Sequence, residues 1–139
     1  MSKPAAGNYY IINRVLSPAG KDLSITFKGQ NQYATVTALS DSDQNQVWVI
    51  RDAGAATQSI SPASNPNLQV GWGSSGAMVL PPGGYVWTIA QVAVDTYTIQ
   101  DGGRTAFWGV TNATENEGIK IVAGNANDWR NQWVLVRAS

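Results

Sequence analysis

Short apolar runs rich in Val, Ile, Thr, Tyr and Trp recur along the chain between polar clusters, and nowhere does an apolar 3.6-residue period persist for the length of a helix. Such runs predict strands, because β-branched and aromatic side chains suit a pleated, half-buried surface. In the first third they predict strands over 8–14, 23–27, 33–38 and 46–51, divided by the turn segments SPAGK, KGQNQ and SDSDQN. The middle third offers 58–61, 69–72, 77–80 and 85–91; the last offers 97–100, 104–109, 119–123 and 132–137. The chain is therefore expected to be all-β.

Three sets of four strands raise the question of an internal repeat. Gln46-Val47-Trp48-Val49-Ile50, Tyr85-Val86-Trp87-Thr88-Ile89 and Asn131-Gln132-Trp133-Val134-Leu135 share one frame around a tryptophan. They recur at a spacing of about forty residues, as four-stranded repeats do. The frame divides the chain into repeats at 7–51, 52–91 and 92–139 of a single domain over 1–139, a length that buries one core. This pattern resembles a β-trefoil with pseudo-threefold symmetry, in which six strands close a barrel, six cap it, and closure removes exposed sheet edges. A propeller has the same repeat but needs four or more blades.

The segment QVGWGSSGAMVLPPGGYVWTI, residues 69–89, sets aromatics among Gly and Pro turns. Trp72 stands between Gly71 and Gly73, which bring no side chains to cover it. Tyr85 and Trp87 are two apart, so on a strand both rings point to one side. A rigid Pro81-Pro82-Gly83-Gly84 turn fixes their approach. Rings on a shallow polar surface suit sugars, because the C–H face of a pyranose lies on an aromatic face while its hydroxyls bond to nearby amides. Trp48 and Trp133, flanked by apolar residues, are expected in the core. Trp87 shares their frame but not their Gln or Asn neighbour, which leaves core and contact roles open. Trp108 and Trp129 lie near turns and are expected to close the barrel ends.

Composition removes other classes. Nine basic and nine acidic residues balance without runs of like charge, so nothing steers the chain toward nucleic acid. With no His and no Cys, the usual neutral-pH base, the thiolate nucleophile and most transition-metal ligands are missing, so neither an enzyme nor a cofactor or metal is expected. A glycosidase-like carboxylate pair is the remaining enzymatic option, and the acids, scattered in polar turns, read as solvated instead. Asp41-Ser42-Asp43-Gln44-Asn45 lacks the Gly and distal Glu of a calcium loop and reads as a turn. No stretch approaches the roughly 18 apolar residues of a membrane span, and the N-terminus carries no secretory core. A cytoplasmic protein without membrane insertion is the expectation, in which the Asn112-Ala113-Thr114 sequon stays unmodified.

Gly7-Asn8-Tyr9, Asn13-Arg14-Val15-Leu16-Ser17-Pro18, Ile60-Ser61-Pro62, Gly71-Trp72-Gly73, Val79-Leu80-Pro81-Pro82, Tyr85-Val86-Trp87-Thr88 and Ile99-Gln100-Asp101-Gly102 give the chain its closest likeness. It resembles the small mushroom β-trefoil, ricin-B-like lectins, and among them the inky-cap (Coprinopsis) type that binds α1,3-fucosylated chitobiose cores of N-glycans. The resemblance implies glycans and glycoproteins as partners, no catalysis, and a role in fungal defence as a cytoplasmic fruiting-body protein. It implies one carbohydrate site in the second repeat, carried by Trp72, Leu80, Gly84, Tyr85, Val86 and Trp87. Gly84 stands where the family carries an Asn, and Ala53 where it carries a Tyr. Asp101-Gly102-Gly103 has two readings: a hairpin-type turn, or the acidic sugar-hydroxyl ligand of ricin-B-like trefoils. A second functional class, a β-trefoil protease inhibitor of the mycocypin type, would present an extended loop that plugs a cleft. No segment is distinctive in that way.

Overall fold

The computed structural model describes residues 2–138. Twelve strands follow one another: β1 (Gly7–Asn13), β2 (Leu23–Thr26), β3 (Thr35–Ala38), β4 (Val47–Asp52), β5 (Gln58–Pro62), β6 (Gln69–Trp72), β7 (Ala77–Leu80), β8 (Trp87–Ala93), β9 (Thr96–Asp101), β10 (Phe107–Gly109), β11 (Lys120–Val122) and β12 (Trp133–Arg137). Single 3-10 turns over Gln44–Gln46 and Trp129–Asn131 are the only helices among the described residues, and none is long and apolar enough to cross a membrane. Each strand lies where the alternation placed it, with ends moved by a few residues. The shift that matters is at 85–91. β8 begins at Trp87, because its partner β9 ends at Asp101 opposite Trp87 and leaves residues 85 and 86 nothing to pair with.

Six strands close on themselves. β1 pairs with β4 and β12, β4 with β5, β5 with β8, β8 with β9, and β9 with β12, all antiparallel. The other six form the hairpins β2–β3, β6–β7 and β10–β11. The hairpins meet through a ring of backbone bonds: Ala34 N–H donates to Ala77 O (2.9 Å), Ala77 N–H to Ile119 O (3.0 Å) and Ile119 N–H to Ala34 O (3.1 Å). This ring leaves no room beside it. A methyl group on Gly76 would lie 2.0 Å from Ile119 O, a backbone atom that cannot swing aside. Gly76→Ala is therefore expected to destabilise the fold by about 1 to 3 kcal/mol. A denaturant midpoint lowered at unchanged slope would show it.

Barrel and hairpins are joined by three buried tryptophans with one shared geometry. Trp48 Nε1 donates to Ile25 O (2.8 Å), Trp87 Nε1 to Val70 O (2.9 Å) and Trp133 Nε1 to Trp108 O (3.1 Å). Each acceptor lies on the second strand of its set: β2, β6 or β10. An indole fills a large volume and also brings a donor that must be satisfied when buried. Here each donor binds a barrel strand to a hairpin. Trp48 and Trp133 are thus core residues, as their neighbours predict, and Trp87 proves to be a third.

Candidate functional site

The three tryptophan frames are alike in the core and differ in what precedes them. The 3-10 turns over Gln44–Gln46 and Trp129–Asn131 lead into Trp48 and Trp133, capped by Asp43, which accepts from Asn45 N–H (2.9 Å), and by Asp128, which accepts from Arg130 N–H (3.0 Å). Pro81-Pro82-Gly83-Gly84 leads into Trp87 with no such turn, since two prolines lack the N–H groups a 3-10 turn uses. Gly84 adopts the left-handed region, φ 72°, and Gly83 N–H is held by Gln69 Oε1 at 3.2 Å.

The side chain two places before each tryptophan follows from this difference. Gln46 is fully buried and consumed by its own loop: Nε2 donates to Thr37 Oγ1 and Ala38 O (both 2.9 Å), and Oε1 accepts from Ser40 N–H (2.8 Å). Asn131 lies against Gly109 and donates to Asn125 O (3.2 Å). Tyr85 has no comparable bonds, and its ring is half-buried between two glycine backbones. A methyl group at Gly71 would come within 3.0 Å of Tyr85 Cδ1 and 2.8 Å of Leu80 Cδ1. One at Gly83 would lie 2.8 Å from Tyr85 Cε2 and Cζ. Any larger residue at either position would push the ring out of place.

Trp72 ends β6 opposite Ala77 and is 46% exposed. Its flanking glycines do more than leave it bare, as the sequence suggested. Gly71 makes room for Leu80 and Tyr85, and Gly73 for the ring edge of Tyr33, whose Cε1 would lie 2.9 Å from an added methyl. Tyr33 Oη meets Ser74 Oγ at 2.7 Å and accepts from Ser75 N–H at 3.2 Å, so it pins the 73–76 turn beside Trp72. Those bonds hold the phenol below its ordinary pKa. Sequence reasoning missed Tyr33, in the segment before β3, and Gln69, which acts across the hairpin; neither carries a local motif. Leu80 and Tyr85 meet over Gly71, Tyr85 also rests on Gly83, and Val86 reaches toward the turn at Gly102 (3.5 Å to a methyl placed there), while Trp72 follows Gly71 at the end of β6. None of these side chains is charged, so the surface can offer stacking and backbone hydrogen bonds but no ion pair.

Two expectations are corrected. Tyr85 and Trp87 do not form one wall, because Tyr85 lies outside the strand. Trp87 is 2% exposed and turned inward, its ring edge-to-face with Trp108 at 4.9 Å. It acts from behind, as the post on which the strand leading to Tyr85 is set. Trp108 is buried as expected of a barrel-closing residue, but Trp129 is 54% exposed and closes nothing. Ala53 lies just beyond β4, in the turn to β5, whose Gln58 pairs with both Asp52 and Trp87; a ring at 53 would have stood near the start of β8.

The Asp101 carboxylate is spent on its own turn. Oδ1 accepts from Thr105 N–H (2.7 Å) and Ala106 N–H (2.9 Å), and Oδ2 from the Thr105 hydroxyl (2.7 Å). These bonds fit the hairpin-type reading and engage both oxygens in the turn. Burial alone would raise its pKa, but the Thr105 hydroxyl and the backbone donors outweigh it and hold the group below the ordinary aspartate value. A folded-state pKa depressed in this way stabilises the fold above the unfolded value of about 4 and ceases to do so as pH falls through the folded value. Unfolding midpoints of the protein and of Asp101→Asn are therefore expected to differ at neutral pH and to draw together as the pH falls through the depressed folded-state value. Among the described residues no group of three or more acids, His or Cys is placed to hold a metal ion.

Comparison with solved structures gives the same architecture at low identity. The Macrolepiota procera ricin B-like lectin in complex with lactose superposes with a TM-score of 0.77 at 16% identity, over 99% of this chain and 100% of that one. ThreeFoil, a designed threefold-symmetric protein, gives 0.70 at 19%, over 95% and 99%. A mosquitocidal holotoxin gives 0.82 at 14%, over 98% of this chain, which spans only 18% of the toxin's length. The chain thus has the ricin-B-like β-trefoil fold. No curated protein matches its sequence. The family model described as CCL2 lectin-like matches residues 7–133, nearly the whole chain from β1 to the last tryptophan of the core, and the protein belongs to that CCL2-like lectin family.

Proposed function

We propose that the protein is a lectin for fucosylated GlcNAc or chitobiose-type glycans, with α1,3-fucosylated N-glycan cores as its foremost ligands, bound at the β6–β7 hairpin. Trp72 supplies the exposed stacking face, Tyr85 and Leu80 the adjoining wall, Val86 and the Gly84 backbone the far edge, and Trp87 supports them from the core. The observation that carries this reading is the break in symmetry. Where two frames hold an amide against its own loop, the second holds a half-buried tyrosine ring between Gly71 and Gly83, and the residue after Gly71 on β6 is the half-exposed Trp72. Three four-stranded units over 7–51, 52–91 and 92–139 account for both the likeness and the exception. A cytoplasmic lectin of fungal defence is the role proposed with it.

A glycan array comparing fucosylated with plain chitobiose tests the reading. Stronger signal on the fucosylated ligand, unchanged by EDTA, is expected; equal signals would remove the fucose preference, and loss in EDTA would show a cation that this site has no acids to hold. Gly84 offers a second check. Its surroundings are open, with nothing within 4 Å of an added methyl, and Asn is among the few side chains that tolerate the left-handed region. Gly84→Asn is expected to change stability by less than about 1 kcal/mol and to tighten binding by the few-fold that one added amide contact gives. Calorimetric titration beside a melt reads both. No observation favours an inhibitor: the long connection between β10 and β11 is tied down by Glu117, which accepts from the backbone N–H groups of Thr111, Asn112 and Thr114.

A further inference from the structure

Trp129 has no role in the fold or in the site just described. It opens the 3-10 turn before Trp133 and is 54% exposed. The guanidinium carbon of Arg14 sits 3.8 Å from its ring centroid. One face is therefore covered by a cation, and the exposed half of the residue must belong largely to the other. Arg14 is itself fixed, since it donates to the Gln132 side-chain carbonyl, and Gln132 Nε2 donates to Ala126 O at 2.7 Å. The ring is thus held in one orientation before any ligand arrives, which lowers the ordering cost of stacking on it.

Its position within the fold is informative. Counting back four residues from the indole that ties barrel to hairpin gives Trp129 in the third frame and Gly83 in the second, and Gly83 is the residue against which the Tyr85 ring rests. Three residues beyond the hairpin-ring positions Ala77 and Ile119 stand Leu80 and Val122, and Val122 is 53% exposed. The third frame therefore carries an exposed ring and an exposed aliphatic side chain at the equivalent offsets. Exposed Asn125 and Asn127 precede it in the same loop, and its chain neighbours Asp128 and Arg130 form an ion pair (3.1 Å) that cancels its own charge. A single exposed indole in a polar, amide-bearing loop lacks the contiguous apolar area of a protein-docking core. It offers what a pyranose uses, a flat apolar face with hydrogen-bonding groups at its edge.

We infer that Trp129, stacked on Arg14, is a second saccharide platform, taking neutral pyranosides more weakly than the Trp72 site and independently of it. This rests on the proposal that the chain is a lectin, but not on the Trp72 site. The experiment follows the indole N–H resonances by NMR in Trp72→Ala protein, assigned with Trp129→Phe, during titration with chitotetraose. A saturable shift of the Trp129 resonance in the millimolar range is expected, with the resonances of the four buried indoles, Trp48, Trp87, Trp108 and Trp133, still. Arg14→Gln, which frees the ring, should raise the apparent Kd about two- to fivefold, the worth of one exposed cation–π stack. A Trp129 resonance that does not move while the Trp72 site of the unaltered protein saturates would overturn the inference and leave the main site standing. A shift that follows protein concentration and not sugar would also overturn it, and would make the ring a self-association contact. Failure of the Trp72 site alone would appear as unchanged affinity in Trp72→Ala, with the Trp129 response read separately.

Discussion

Trp48→Ala should cost the fold about 3 to 5 kcal/mol, the range found when a large buried aromatic is emptied from a core. Trp48 is fully buried, its ring meets Phe27 edge-on at 6.5 Å, and its indole N–H binds Ile25 O at 2.8 Å. Alanine removes the volume, the ring contact and the donor together, and it leaves a buried carbonyl without that partner, itself a cost of about 1 to 3 kcal/mol. A domain of this size has a total margin of roughly 5 to 15 kcal/mol, so a large part of it would be lost. The measurement is the denaturant midpoint at unchanged slope. Trp48→Phe should recover much of the loss by restoring packing without the donor. A shift under about 1 kcal/mol for the alanine variant would mean that the indole is not the tie between barrel and hairpin described above. The folded fraction of either variant should bind sugar as before, because Trp48 lies in a different frame from the site.

Much of this architecture is legible in the sequence because period-2 alternation and turn chemistry act locally. All twelve strands lie near the positions that pattern assigns, and the Trp48, Trp87 and Trp133 frame marks the three ties between barrel and hairpins. What was not legible depends on partners distant in sequence. That Trp87 turns inward is decided by Val70 O and by the edge of Trp108. That β8 starts at Trp87 is decided by where β9 ends. Trp129 shows the opposite error: lying near a turn suggested a barrel plug, yet its partner is Arg14, more than a hundred residues earlier. Gln69 and Tyr33 belong to the same class, since a side chain that fixes another segment's turn leaves no mark on its own. In the sequence Gly71 and Gly73 read as leaving Trp72 bare, whereas in the fold Gly71 and Gly83 matter for the ring they admit.

Trp72→Ala should divide function from fold more sharply than any other substitution. The residue is nearly half exposed, and its strand pairing with Ala77 runs through the backbone, so truncation empties no sealed volume and breaks no buried hydrogen bond. The stability change should stay below about 1 kcal/mol. Affinity for a fucosylated chitobiose should fall by about 2 to 4 kcal/mol, roughly 30- to 1,000-fold, as when an aromatic anchor is removed from the centre of a contact. Tyr85→Phe makes the comparison finer. The ring remains packed between Gly71 and Gly83, so any loss of affinity measures the hydroxyl alone and should not exceed about 1.5 kcal/mol. Titration calorimetry and a denaturant melt on the two proteins decide it. A Trp72→Ala protein that melts several kcal/mol early would place the ring in the scaffold. One that binds as well as the parent would move the glycan away from the β6–β7 hairpin altogether.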